Sequence, residues 1–279
     1  MFPFLSSARP SARPVIIHYH IFKNAGTSVD RLLADSFGKR WHTLEGKAPN
    51  AVLESNVVAK YVRKHPKLIA ISSHTARPPL PDRNYYPILL LRHPIVRIRS
   101  VQRFLKQDAN QRQHPYAKLG LRHYVEWLLE KKAGMQGVCR NFQVCFLSDA
   151  SLRRPRLPTE TDLEQAKQRL ADWPAFGLVN EFSRSMALFN YLYGTHFPDL
   201  NLYNRRENVT NPIIREEDEV LADIESEIGS SLYQQIVAAN QLDLDLFDFA
   251  GKRFSQLLQQ LDSDPVTARA VAYSSGENL

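Results

Sequence analysis

Three groups of residues in this chain have types and spacings that could do chemistry. The first is Lys23-Asn24-Ala25-Gly26-Thr27-Ser28, a cation followed by small residues, one glycine and two hydroxyls. Placed where a strand turns into a helix, such a loop suits an anion: the first amides of a helix lack partners and lie at the positive end of its dipole. Lys23 adds charge there, and Thr27 and Ser28 add donors. The second group is Arg92 and Ser100, at the end of an apolar run and two turns into the helix that follows. They could hold a second anionic group. The third is His74, whose imidazole can exchange a proton near neutral pH.

The surrounding residues supply elements that would position these groups. Val15-Ile16-Ile17 and the alternating residues to Ile21 read as a buried strand, and Val29, Leu32, Leu33 and Phe37 recur at helical spacing, so strand becomes helix between Phe22 and Thr27. Lys39 to Asn50 reads as a polar loop and Val52 to Val62 as a short helix. Leu68 to Ser72 is a second strand that stops at Ser73-His74-Thr75, which puts His74 just past a strand's carboxyl end. In an open α/β sheet that edge binds ligands. Four prolines between Ala76 and Pro87 enforce an extended connection. Ile88 to Leu91 is then a fully buried strand running into Arg92-His93-Pro94, and Pro94 opens a helix with apolar positions at Ile95, Ile98, Val101 and Leu105. The later half is mainly helical: Leu121 to Leu129, a helix opened by a near capping box at Thr159 to Asp162, a short strand at Phe176 to Val179, a helix from Ser183 to Gly194, and helical patterns to Leu258.

The fold class expected is α/β with three layers, a central mainly parallel sheet flanked by helices and a helix-rich C-terminal half. Residues 15–261 would form one domain, between a frayed arm at 1–14 and a mobile tail at 262–279. With 43% hydrophobic and 10% aromatic residues the composition is that of a globular protein, and no apolar run approaches the ~20 residues that cross a bilayer. The formal charge of +7 favours an anionic ligand. Two cysteines, Cys139 and Cys145, make neither a disulfide framework nor a metal signature, so a reducing cytoplasm is expected and no metal site is read.

A nucleotide-hydrolysing P-loop reads G-x-x-x-x-G-K-[ST], with the lysine late and the next hydroxyl on magnesium. Here the lysine comes first, and the strand Ile88 to Leu91 ends in Arg92, a cation that would repel magnesium and attract phosphate. At these residues the sequence resembles the sulfotransferases that use 3′-phosphoadenosine 5′-phosphosulfate (PAPS), in particular the carbohydrate branch that includes heparan sulfate and uronyl 2-O-sulfotransferases and bacterial relatives. FKNAGTS is similar to that branch's 5′-phosphosulfate loop, and LRHPIVRIRS to the segment whose Arg and Ser bind the 3′-phosphate. SSH, FGLVNEF, NVT and LDLDLFDFA are weaker matches, and together they span roughly Ile16 to Phe254. Asn24 stands where the branch has threonine, and His93 where it has aspartate.

The resemblance implies a P-loop-like O-sulfotransferase with PAPS as donor and 3′,5′-adenosine bisphosphate (PAP) as product, and no metal, which the cysteine content would place in the cytoplasm. Its acceptor would be a hydroxyl of a saccharide or other small molecule, with no nucleic acid and no membrane span. Lys23 and the helix amides would stabilise the bridging oxygen as the sulfuryl group leaves, and His74 would take the acceptor's proton. Asn24, Ala25, Gly26, Thr27 and Ser28 would cradle the 5′-phosphate, Arg92 and Ser100 the 3′-phosphate, and Thr210 would approach the nucleotide. His42 is the rival base; His18 and His20 share one face of the first strand and read as packed or paired. A metal-dependent nucleotide kinase or NTPase, and a non-catalytic phosphate or polyanion binder, are the competing readings. The acceptor-side loops, Lys39 to Asn50 and Gln107 to Leu119, match no motif of that branch.

Overall fold

In a computed structural model the residues described are 13–48, 51–110, 115–130, 140–152, 156–203 and 216–262. The tail expected over 262–279 apart from its first residue, all but two residues of the arm expected over 1–14, and Thr210 lie outside them.

Strand β1, Val15–Tyr19, is buried along its whole length because it lies at the centre of the sheet with side chains packed on both faces. Its chain turns through Phe22 to Ala25 into helix α1, Gly26–Phe37, whose Val29, Leu32, Leu33 and Phe37 face the core. A short strand β2, Trp41–Thr43, follows, where a polar loop was expected. Half-exposed and without an apolar run, it is a strand only by virtue of its partner. Helix α2, Ser55–Lys64, leads to β3, Ala70–Ser73. The proline-rich stretch then crosses to the other side of β1, and the expected third strand is observed as β4, Tyr85–Ile88, continued after Leu89 by β5, Leu90–Leu91. Strand β6, Gly177–Leu178, takes over the pairing on β5, with the Gly177 amide donating to Leu89 O at 2.8 Å.

Every pairing is parallel, in the order β2-β3-β1-β4 with β5-β6 beyond. The fold is thus α/β with a central parallel sheet flanked by helices, as the strand and helix patterns predict. Because β3 lies on one side of β1 and β4 on the other, the loops leaving β1 and β5 lie at the topological switch point, the usual place for a ligand in such sheets. Those are the loops of Lys23 and Arg92.

Helix α3, Pro94–Gln107, starts with its proline at the first turn. It packs through Ile95, Ile98, Val101 and Leu105 into a second core with α4, Leu121–Leu129, α8, Glu217–Ile228, and α9, Ser230–Ala238. Around the main core lie α5, Phe142–Leu147; α6, Glu160–Asp172, opened by the Thr159 capping box; α7, Phe182–Tyr193; and α10, Gln241–Asp262. No described helix is long and apolar enough to cross a membrane.

Candidate functional site

The Lys23 loop is held in a costly conformation. Lys23 and Ala25 both have positive φ, 67° and 59°, although neither is glycine, at roughly 1–2 kcal/mol per residue. Such geometry persists only where the surroundings over-determine it, and here they do. Asn24, 2% exposed, donates from Nδ2 to Leu90 O at 2.8 Å and to Gln143 Oε1 at 2.7 Å. Arg92 donates to Lys23 O at 3.0 Å, and Arg97, 1% exposed, donates from Nε to Phe22 O at 3.0 Å. The side chain of Asn24 therefore faces inward as a strut, and its amide also turns inward, donating to Ile21 O at 3.1 Å. Helix α1 begins at this point without a side-chain cap, with Thr27 exposed and Ser28 half-buried.

Gln143 had no signal in the sequence, yet it ties the two loops together. Its Oε1 also accepts the Arg92 amide at 2.9 Å, and its Nε2 donates to Arg92 O at 2.8 Å. Gln143 is in turn set by α10, where buried Asp243 accepts the amides of Gln143 and Val144 at 3.1 and 2.8 Å. Those bonds do not fully offset burial, which pushes the Asp243 carboxyl above its ordinary range.

Two cations are thus brought to one place. Burial and then the nearby Arg92 depress the Lys23 ammonium, and burial followed by Arg97 lowers Arg92. Lys23 Nζ lies over the Phe104 ring, 4.7 Å from its centroid. Among the described residues neither cation has a salt bridge, although Glu217 adds a favourable field at Arg92. Arg99, in contrast, reaches Asp223 and Glu227 of α8 at 4.0 and 3.6 Å. An anion between Lys23 and Arg92 would favour the charged form of both and so offset the burial, and the lesser repulsion from neighbouring arginines, that lower them. Ser100 lies on α3, half-exposed, two turns beyond Arg92.

The third group is built by strand register. Tyr19 pairs with Ser73 and Thr43 with Ser72. Continuing one or two residues past the strands sets His20, His74 and Glu45 in one row across β1, β3 and β2. Backbone bonds carry the row: the His20 amide donates to Ser73 O and the Leu44 amide to Ser72 O, both at 2.9 Å. In that row the His20 and His74 rings stack with centroids 3.7 Å apart. Glu45 Oε1 accepts from His74 Nδ1 at 3.0 Å and from the His74 amide at 2.8 Å, while Glu45 Oε2 accepts from Thr75 Oγ1 at 2.9 Å. Burial alone would raise the Glu45 pKa, but these bonds outweigh it and bring the carboxyl below its usual range.

Beneath the row, His18 and His20 share Asp30 of α1, with Nδ1 atoms 2.8 and 2.9 Å from its two oxygens. They are paired, as their common face predicts. The desolvation that would raise Asp30 is overcome by these bonds, so its carboxyl is held far below the ordinary range, while burial lowers His18. An ionised Asp30 requires a proton on each facing Nδ1. The three donor atoms lie within 4.8 Å of one another, a composition that could also bind a cation. A tetrahedral zinc, about 2.0–2.2 Å from each ligand, would spread neighbouring donors to about 3.3 Å; the observed spacing is that of proton bridges.

Gly26 connects this cluster to the anion loop. A Cβ there would come 2.1–2.5 Å from His20 ring atoms, so α1 can start against the imidazole only with glycine. The rival histidines lie elsewhere. His42 is in β2 and bonds Tyr61 Oη through Nδ1 at 3.0 Å, facing α2. His93 precedes α3 and meets Phe247 edge-on, with a pKa pushed down to about 4 by burial.

No protein-family model matches the chain. It is 30% identical over 245 residues to an uncharacterized protein from Archaeoglobus fulgidus, a match covering 85% of this chain and 95% of that protein.

Proposed function

This chain belongs to the same family as the Archaeoglobus fulgidus protein, and we propose that it is a sulfotransferase moving a sulfuryl group from PAPS to an acceptor hydroxyl of a saccharide or other small molecule. The observation that carries the reading is the pairing of two cations, Lys23 and Arg92, around a strained, uncapped helix start, on the same sheet edge as an imidazole. Such a site suits a ligand with two anionic groups and a reaction that needs a base.

In the proposed reaction the donor's 5′-phosphosulfate lies on the Lys23–Ser28 loop and its 3′-phosphate lies between Arg92 and Ser100. The acceptor oxygen forms its bond to sulfur as the bond from sulfur to the bridging oxygen breaks. The electron pair stays on the leaving PAP, where Lys23 and the α1 amides stabilise it. The acceptor's proton passes to His74. Two cations in the loop region disfavour a divalent ion by simple repulsion, so nucleotide binding should not need one. The protein is expected to act in the cytoplasm.

Two measurements test this. PAP should stabilise the protein in a chelator, by about 2.7 kcal/mol at ~100 times the dissociation constant; stabilisation only with magnesium would favour a kinase or NTPase. Incubation with sulfur-labelled donor and a cell extract should label an acceptor. Donor bound and returned intact would mean a binding protein instead.

A further inference from the structure

Glu45 and His74 are about two-fifths and one-half exposed, 39% and 47% at the side chain. Exposed ion pairs commonly contribute little because both partners wander. This one cannot wander. Both Glu45 oxygens are committed, one to His74 twice and the other to Thr75. Thr75 Oγ1 also accepts the Gly46 amide at 2.9 Å, tying the carboxylate's own loop to the far side of the pair. The imidazole is fixed in turn: its edge by Glu45, its face by His20 at 3.7 Å, and His20 by Asp30. The strands impose the same juxtaposition, since Glu45 and His74 are opposite each other in the register of β2 and β3.

We propose that Glu45 is the positioning residue for His74: it holds the proton on Nδ1 and so leaves Nε2 unprotonated, aimed at the acceptor. This rests on the sulfotransferase reading for its catalytic consequence, but the tautomer itself does not. An ionised carboxylate accepting from both the amide and Nδ1 of one residue can only be satisfied if Nδ1 carries hydrogen. When Nε2 takes the acceptor's proton, the imidazolium that forms is already paired with Glu45, as in the carboxylate–histidine arrangement of hydrolytic triads. The proton therefore arrives at an ion pair that needs no rearrangement.

The test is nuclear magnetic resonance on protein carrying 15N-histidine, with the His74 signals assigned by their loss in His74→Gln. At alkaline pH the parent, without added ligand, should show His74 protonated on Nδ1. Glu45→Ala should move the proton to Nε2, the form a free imidazole prefers. A parent already protonated on Nε2, or a Glu45→Ala protein with an unchanged tautomer, overturns the proposal whatever the protein catalyses. Glu45→Gln can keep both bonds to His74 and removes only the charge, so it guards against misfolding. It should melt and bind PAP like the parent, yet turn over labelled donor about tenfold or more slower. That loss is smaller than the ~10⁴ of a buried triad carboxylate because this pair is partly exposed. Turnover equal to the parent's refutes the positioning role. A parent that never labels an acceptor refutes the sulfotransferase reading instead, and the tautomer measurement still decides the Glu45 assignment.

Discussion

Gly26→Ala tests whether the anion loop and the histidine cluster are one mechanical unit. The new methyl would fall 2.1 Å from His20 Cδ2, 2.3 Å from Nε2 and 2.5 Å from Cγ, where ordinary contact begins near 3.4 Å. The ring would have to retreat by about 1 Å, and it is not the free end of a flexible chain. Its Nδ1 is 2.9 Å from Asp30 and its face is 3.7 Å from His74. Retreat would lengthen a charge-assisted bond of about 1.5–3 kcal/mol and force the ring off its rotamer at about 0.5–1.5 kcal/mol. A loss of about 2–4 kcal/mol is expected, readable as a lower urea midpoint with an unchanged slope. His20→Ala removes the obstacle, so the double variant should be more stable than the sum of the single losses by at least about 1 kcal/mol. Gly26→Ala within about 0.5 kcal/mol of the parent, or strict additivity in the cycle, would refute the packing argument.

Arg92→Ala should weaken PAP more than adenosine 5′-monophosphate, by roughly 2–5 kcal/mol if the 3′-phosphate pairs with Arg92 in a dry site. The comparison matters because Arg92 also props Lys23 O, a loss both nucleotides would feel equally; an unchanged ratio in titration calorimetry would confine Arg92 to that structural role. His74→Ala should bind PAP like the parent but lose ~10²–10⁴ in labelled-donor turnover, while His42→Ala, held against Tyr61, should leave turnover intact; the reverse pattern would reassign the base. Stability should fall in acid before carboxylates titrate. Burial lowers His93 from 6.5 to about 4, so the fold prefers it neutral, and below pH 6.5 the unfolded chain binds the extra proton. The contribution is complete above pH 6.5 and lost as pH falls towards 4, at most about 3 kcal/mol. Urea midpoints at pH 7 and 4.5 should fall less for His93→Gln than for the parent, and equal falls would count against it.

The elements that could be read from the chain are those whose cause is local. A continuous apolar run followed by helical periodicity specifies β1 and α1, a proline after a buried strand specifies the start of α3, and a Thr with Asp three residues later specifies α6. Strand β2 escapes because its cause is not local: Trp41-His42-Thr43 has no apolar run and becomes a strand by pairing with Ala70 to Ser72 of β3. The same reason hides the strand order. Nothing between Ser73 and Tyr85 states that the chain must pass β1 before pairing again, yet that crossing is what sets the loops of Lys23 and Arg92 side by side.

The site divides along the same line. Lys23, Arg92 and His74 are legible because each ends a strand, and a parallel sheet puts all such ends on one edge. Their partners are legible only once neighbours are known. Gln143 and Asp243 reach the loops from α5 and α10, more than a hundred residues from Lys23, and Asp30 serves two histidines from a helix whose polar face gives no hint of it. Asn24 shows the difference most plainly. In the sequence it is one more small polar residue of an anion loop; in the fold its side chain turns inward and supports the backbone strain at Lys23 and Ala25. The chemistry proposed for the loop thus depends on side chains that never meet the ligand, because two left-handed residues and an uncapped helix start hold their shape only while Asn24, Gln143 and Arg97 support them.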